Sequence, residues 1–145
     1  MRRALLVAVA VALALTGCSD DAKDEANDLE VGDCVVGDLR AKDDEVSVVD
    51  CDEEHVVQVI GRFDTDDGDF PGDEELAAIG FDRCQGDLFE SFVGIPYVES
   101  STVYASWLVP DEDGWDDGDR TVVCLGHTQD HVPTTGSYEG TGRAE

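Results

Sequence analysis

Positive charge is what this sequence has least of. Nine Lys and Arg stand against 35 Asp and Glu, a formal net charge of −26. A field of that sign repels nucleic acid and anionic lipid headgroups and favours cations and basic partners, so a nucleic-acid partner is excluded first. The motifs of common catalytic classes are missing too: there is no Gly-x-Ser-x-Gly elbow, no phosphate-cradling glycine loop and no dinucleotide fingerprint. No internal repeat marks a second domain. The carboxylates are too numerous to single out an acid/base pair. These absences read as a non-enzymatic chain without a cofactor.

What is present begins at the N-terminus. Met1-Arg2-Arg3 is a positive start, Ala4 to Leu15 is an unbroken apolar run, and Thr16-Gly17 places small residues before Cys18. This is the build of a bacterial export signal, too short for a comfortable membrane-spanning helix. Leu15-Thr16-Gly17-Cys18 resembles the lipobox of bacterial lipoproteins, in which the cysteine is lipidated and becomes the new N-terminus; the rival is a plain secretory leader with a chance cysteine. Two or more acyl chains are the number that stable anchoring needs. The expectation is a signal peptide over 1–17 and a cell-membrane protein, lipid-anchored on the extracytoplasmic face. Arg2 and Arg3 leave with the leader while every acid stays, which takes the charge two units below −26. Residues 18–28 are polar, acidic and aperiodic, and read as a tether.

Four cysteines remain: Cys34, Cys51, Cys84 and Cys124. An even number in a small exported domain reads as two disulfides with three possible connectivities. Sequence order and flanking pattern favour Cys34 with Cys51 and Cys84 with Cys124. Zinc is the alternative, but no two of these cysteines have the close spacing of a metal knuckle. Paired in disulfides, none is left as a nucleophile.

The folded region is expected over 29–142. β-Branched runs predict strands at Val31–Val36, Val46–Cys51 and His55–Ile60, then at Thr102–Val109 and Arg120–Leu125, the last as the central one. At most a short strand is expected at Ser137–Glu139. Pro71-Gly72 followed by Asp73-Glu74-Glu75 opens the one strong helix, with Asp73 as its cap and acids at the positive end of the dipole. Leu76, Gly80, Cys84, Leu88 and Phe92 recur at i+4 before Gly94-Ile95-Pro96 ends it. Gly80 and Gly86 weaken that helix unless close packing needs them. The order β-β-β-α-β-β gives an α+β class, a small antiparallel sheet with one main helix packed on it and two disulfides.

The candidate chemistry is thin. His127 and His131 are four apart, but they follow a strand, precede Pro133 and lack the glutamate of a zinc-protease helix, so they read as a surface-loop pair. His55 is expected to bond a carboxylate of Asp52-Glu53-Glu54. The loop Asp64–Asp69, with Glu75 twelfth, is a poor calcium loop because Gly68 is fifth and Asp69 sixth, the reverse of the requirement. Trp115, in a second acidic loop over Asp111–Asp119, is read as covering one end of the core rather than as a partner anchor. No metal site is assigned.

The folded part resembles the septum formation family of actinobacterial envelope proteins. The resemblance rests on Val31-Gly32-Asp33-Cys34, on Val49-Asp50-Cys51 followed by His55, and on Phe70-Pro71-Gly72-Asp73. It continues through Cys84 with Phe92-Val93-Gly94, and through Trp115 with Gly118-Asp119-Arg120 and Val123-Cys124. Glu54 stands before His55 where a proline is expected. The family implies a link to cell division or envelope assembly and offers no reaction. The expectation is therefore a lipoprotein that binds an envelope or cell-division partner, or, as the alternative, a cation or ligand through its acidic loops.

Overall fold

The computed structural model describes residues 26–40 and 46–142. Cys18, the leader 1–17 and the tether as far as residue 25 lie outside the described residues.

Five strands form one antiparallel sheet: β1 Cys34–Val36, β2 Ser47–Val49, β3 Val57–Asp64, β4 Tyr104–Leu108 and β5 Thr121–His127. Their order across the sheet is β2-β1-β3-β5-β4. The middle position belongs to β3, and β5 lies beside it, paired on both edges. β3 starts later and runs further than its apolar run suggested. A bulge between Val59 and Gly61 lets Arg62, Phe63 and Asp64 continue the pairing with β5. His55 joins instead in an isolated bridge to Thr134. The tail residues 137–139 form no strand; Tyr138 is buried against the core.

The helix expected as one rod is two pieces, α1 Asp73–Cys84 and α2 Asp87–Val93. Gly86 marks the break, and only glycine fits there, since a β-carbon would strike the Asp82 carbonyl oxygen. The break shifts the phase of the buried stripe by one residue. Leu76, Gly80 and Cys84 are buried in α1 as the i+4 pattern requires, but in α2 the buried pair is Phe89 and Val93. Leu88 and Phe92 are only partly covered. Gly72, not Asp73, is the cap residue, and no side chain caps the helix. Asp73, Glu74 and Glu75 act from within the first turn, where the dipole favours them. Gly94 closes α2 with φ 99°, a left-handed conformation that glycine adopts without strain.

The sheet is covered unequally. On one face, α1 and α2 enclose Ile60, Val122, Cys124, Phe89 and Val93. The other face carries no helix of that kind, yet it is apolar. There Val35, Val59, Val123 and Leu125 are covered by Leu29 and Leu39. Ala26 and Asn27, expected within the tether, are held at this face: Ala26 is buried, and Arg62 donates to the carbonyls of Leu29 and Asn27 at 2.7 and 3.2 Å. Satisfying a guanidinium that would otherwise be costly to bury fixes the N-terminal segment on the sheet. A short helix, α3 Glu112–Asp116, precedes β5; the Asp111 side chain caps it by accepting from Gly114 N at 2.9 Å. No described helix is long and apolar enough to cross a membrane.

Candidate functional site

Both disulfides form with the favoured connectivity. Cys34 is joined to Cys51 and Cys84 to Cys124, each with a Cα–Cα distance of 5.2 Å. Cys34 pairs in register with Val49, so Cys51 lies just beyond β2 and folds back onto β1. Cys84 and Cys124 join α1 to β5 and are fully buried. Next to the first staple, Gln58 is 1% exposed and fully used. Its Nε2 donates to the Gly32 carbonyl at 3.0 Å, and its Oε1 accepts from Tyr138 N at 2.7 Å. That side chain ties the C-terminal segment to the sheet.

His55 does not bond a carboxylate. It is fully buried, and its Nδ1 lies 2.9 Å from the backbone carbonyl of Glu53. A carbonyl only accepts, so Nδ1 carries the proton. The acids of the turn, Asp52, Glu53 and Glu54, are all exposed, where their charge costs least, and the Glu53 carboxylate accepts from Asp50 N at 3.3 Å. The edge of Tyr138 meets the imidazole at 6.1 Å. Burial raises the Tyr138 pKa above its ordinary value. These residues fasten the tail and make no open site.

The two acidic loops meet at one end of the sheet. Trp115 is 5% exposed, and its Nε1 donates to the Gly68 carbonyl at 2.9 Å. Phe70 packs edge-on against it, and the Arg120 guanidinium lies 3.8 Å over the indole. Trp115 thus covers the end of the core. Among the described residues no three His, Cys, Asp or Glu side chains converge to hold a metal ion.

A concave site lies elsewhere, on the face of the sheet opposite α1 and α2. A cleft of about 530 Å³ has Leu39, Val56, Val57 and Leu125 as its apolar lining, with Ser106, Arg40 and His131 around it. Alternation along β4 and β5 puts Tyr104, Ser106 and His127 on this face. His131 stacks on His127 with ring centres 3.9 Å apart, and Tyr104 stacks beyond His127 at 6.4 Å. The turn that delivers His131 is left-handed at two consecutive residues, Asp130 with φ 58° and His131 with φ 53°. Thr128 Oγ closes it by donating to the Val132 carbonyl at 2.6 Å. His127 is 8% exposed and donates from Nδ1 to the Thr128 carbonyl at 2.8 Å. Burial lowers its pKa first; the Thr128 carbonyl opposes that, and His131 and Arg40 lower it further.

The sequence singled out His127 and His131 by their spacing and read them as a surface pair. It missed that strand register sets them beside Arg40 and Ser106, neither of which carries any motif. The scarcity of basic residues was the one signal that made Arg40 worth locating.

The molecule is thus a small α+β domain of the disulfide-stapled kind, with an apolar cleft on the sheet face away from its helices. A family model described as septum formation matches residues 31–145. The chain belongs to the septum formation family, whose description points to a role connected with cell division and the envelope. No curated protein matches the chain, and no solved structure does.

Proposed function

We propose that the protein is a membrane-anchored extracytoplasmic lipoprotein, held by lipidated Cys18, that acts without catalysis by binding an envelope or cell-division partner. The observation that carries this reading is the pair of disulfides within a septum formation domain. Both staples join core elements, and such bonds persist in oxidising compartments outside the cytoplasm. The leader and lipobox supply a route there. Binding rather than thiol chemistry fits the groups present: all four cysteines of the domain are oxidised.

The test is the intact mass of membrane-extracted protein, with and without reduction before alkylation. The expected result is a chain starting at an acylated Cys18, with four cysteines that alkylate only after reduction. An unacylated N-terminus in the extracted protein overturns the anchor. Cross-linking in growing cells then tests the partner: specific adducts with envelope or division proteins support it, and a chain that stays unadducted at septa overturns it.

A further inference from the structure

We propose that the cleft on the helix-free face binds a single aliphatic chain ending in a carboxylate, a fatty-acid-like ligand. This goes beyond the anchor-and-partner reading and does not depend on it. The first argument is the lining. Val56 is half-buried at the cleft and the largely buried Leu39, Val57 and Leu125 form its apolar floor, and the volume of about 530 Å³ falls within the range of small-molecule sites. The second is what the walls withhold. Val57 and Leu125 lie on interior strands paired on both sides, and Val56 N is bonded to the Val35 carbonyl.

The nearby edge of β4 is covered as well. Arg40 Nη2 donates to the Trp107 carbonyl at 3.4 Å and Gln85 Nε2 to the Ala105 carbonyl at 3.3 Å. An extended peptide would find little main chain to pair with and would leave its own polar groups unsatisfied. An aliphatic chain brings none.

The third argument is charge. Among the described residues, Arg62, Arg83 and Arg120 are each committed elsewhere: to backbone carbonyls, to Asp87, and to the Trp115 and Asp119 carbonyls with Asp67 beside them. Arg40 makes one long bond, which leaves most of its five N–H donors for a ligand at the cleft. His131 stands on the same rim, and Ser106 lines the wall between them. Asp38 lines the cleft and Asp130 adjoins His131, and the chain as a whole is strongly negative. A single negative charge matches one planar guanidinium in that setting, whereas a phosphate dianion would meet more repulsion. Distant acids are screened within about 8 Å at physiological salt, so the nearest groups decide.

The test uses the full chain in nanodiscs of zwitterionic phospholipid, a format that works whether or not Cys18 is acylated. A diazirine-bearing dodecanoate is photo-cross-linked and the labelled peptides are mapped by mass spectrometry. Label is expected on the segments holding Leu39, Val56 and Ser106, competed by dodecanoate better than by dodecyl phosphate or dodecyltrimethylammonium. Arg40→Gln should cut it by on the order of tenfold. Ser106→Phe, which fills the cleft and leaves the charge alone, should do the same, while Arg83→Gln should not. Cysteines that stay blocked to alkylation verify that each variant is folded. Label spread evenly over the surface, label unmoved by both cleft variants, or equal competition by the cationic or phosphate amphiphile overturns the proposal.

Discussion

Gly80 packs against the indole of Trp107, so closely that a β-carbon on the glycine would clash with Cδ1, Cγ and Nε1 of the ring. This contact between α1 and β4 explains why a poor helix former sits in the middle of α1. Gly80→Ala gains about 1 kcal/mol of helix propensity but overpacks the contact, a cost of about 1–3 kcal/mol. The expected net result is destabilisation by up to about 2 kcal/mol, read as a lower urea midpoint with an unchanged slope. A variant more stable than the parent would show that Trp107 moves aside freely.

The two disulfides should differ in strength and in accessibility. Cys34–Cys51 closes a separation of 17 residues and Cys84–Cys124 one of 40. On the loop-entropy account these are worth about 3 and about 4 kcal/mol. Cys84 and Cys124 are both fully buried, while Cys51 is partly exposed. Graded thiol reductant should therefore open Cys34–Cys51 first, and the double Cys→Ala variant at positions 84 and 124 should lose more stability than its counterpart at 34 and 51. Peptide mapping after partial reduction reads the order directly.

The disulfides and the antiparallel sheet were legible because local signals coincide with them. Cys34, Cys51 and Cys124 sit in or beside β-branched runs, and Pro71-Gly72 followed by three acids marks the start of α1. The phase of α2 was not legible. A periodic stripe presumes an unbroken helix, and whether Gly86 bends or breaks it depends on the Asp82 carbonyl beneath it. The partner of His55 was misjudged for a similar reason, since nearness in sequence suggested a carboxylate and burial selected a backbone carbonyl. The cleft was invisible because Arg40, Ser106 and His131 are ordinary residues until the register of β4 on β5 and the left-handed turn at Asp130 and His131 bring them together.

His127 makes the domain sensitive to acid. Its folded pKa lies below its ordinary value, chiefly through burial, so the native state binds fewer protons there than the unfolded chain. Stability should then rise with pH across the interval between the folded and unfolded pKa values, and fall as acid takes the solution below about 6.5. Lower pH also relieves repulsion among the many carboxylates, so the comparison must be with His127→Gln, which keeps that second effect. The parent should lose stability relative to the variant between pH 7.5 and 5. Parallel curves over that range would mean that His127 keeps an ordinary pKa.

Arg120 fastens the second acidic loop through geometry rather than through net charge. Its Nη1 donates to the Trp115 and Asp119 carbonyls at 2.8 Å each, and its plane covers the indole. The charged partner is weaker: Asp67 lies 3.5 Å from Nε and its side chain is 98% exposed, where water screens the pair. Arg120→Lys keeps the charge but loses the planar fork and the stack, and should cost about 2 kcal/mol. Asp67→Asn should leave the urea midpoint unmoved. If the two substitutions destabilised equally, the ion pair would be the fastening and the carbonyl bonds incidental. The predicted inequality says instead that an acidic surface this dense is kept folded at this end by one cation turned inward, bonded to backbone oxygens that no change of pH or salt removes.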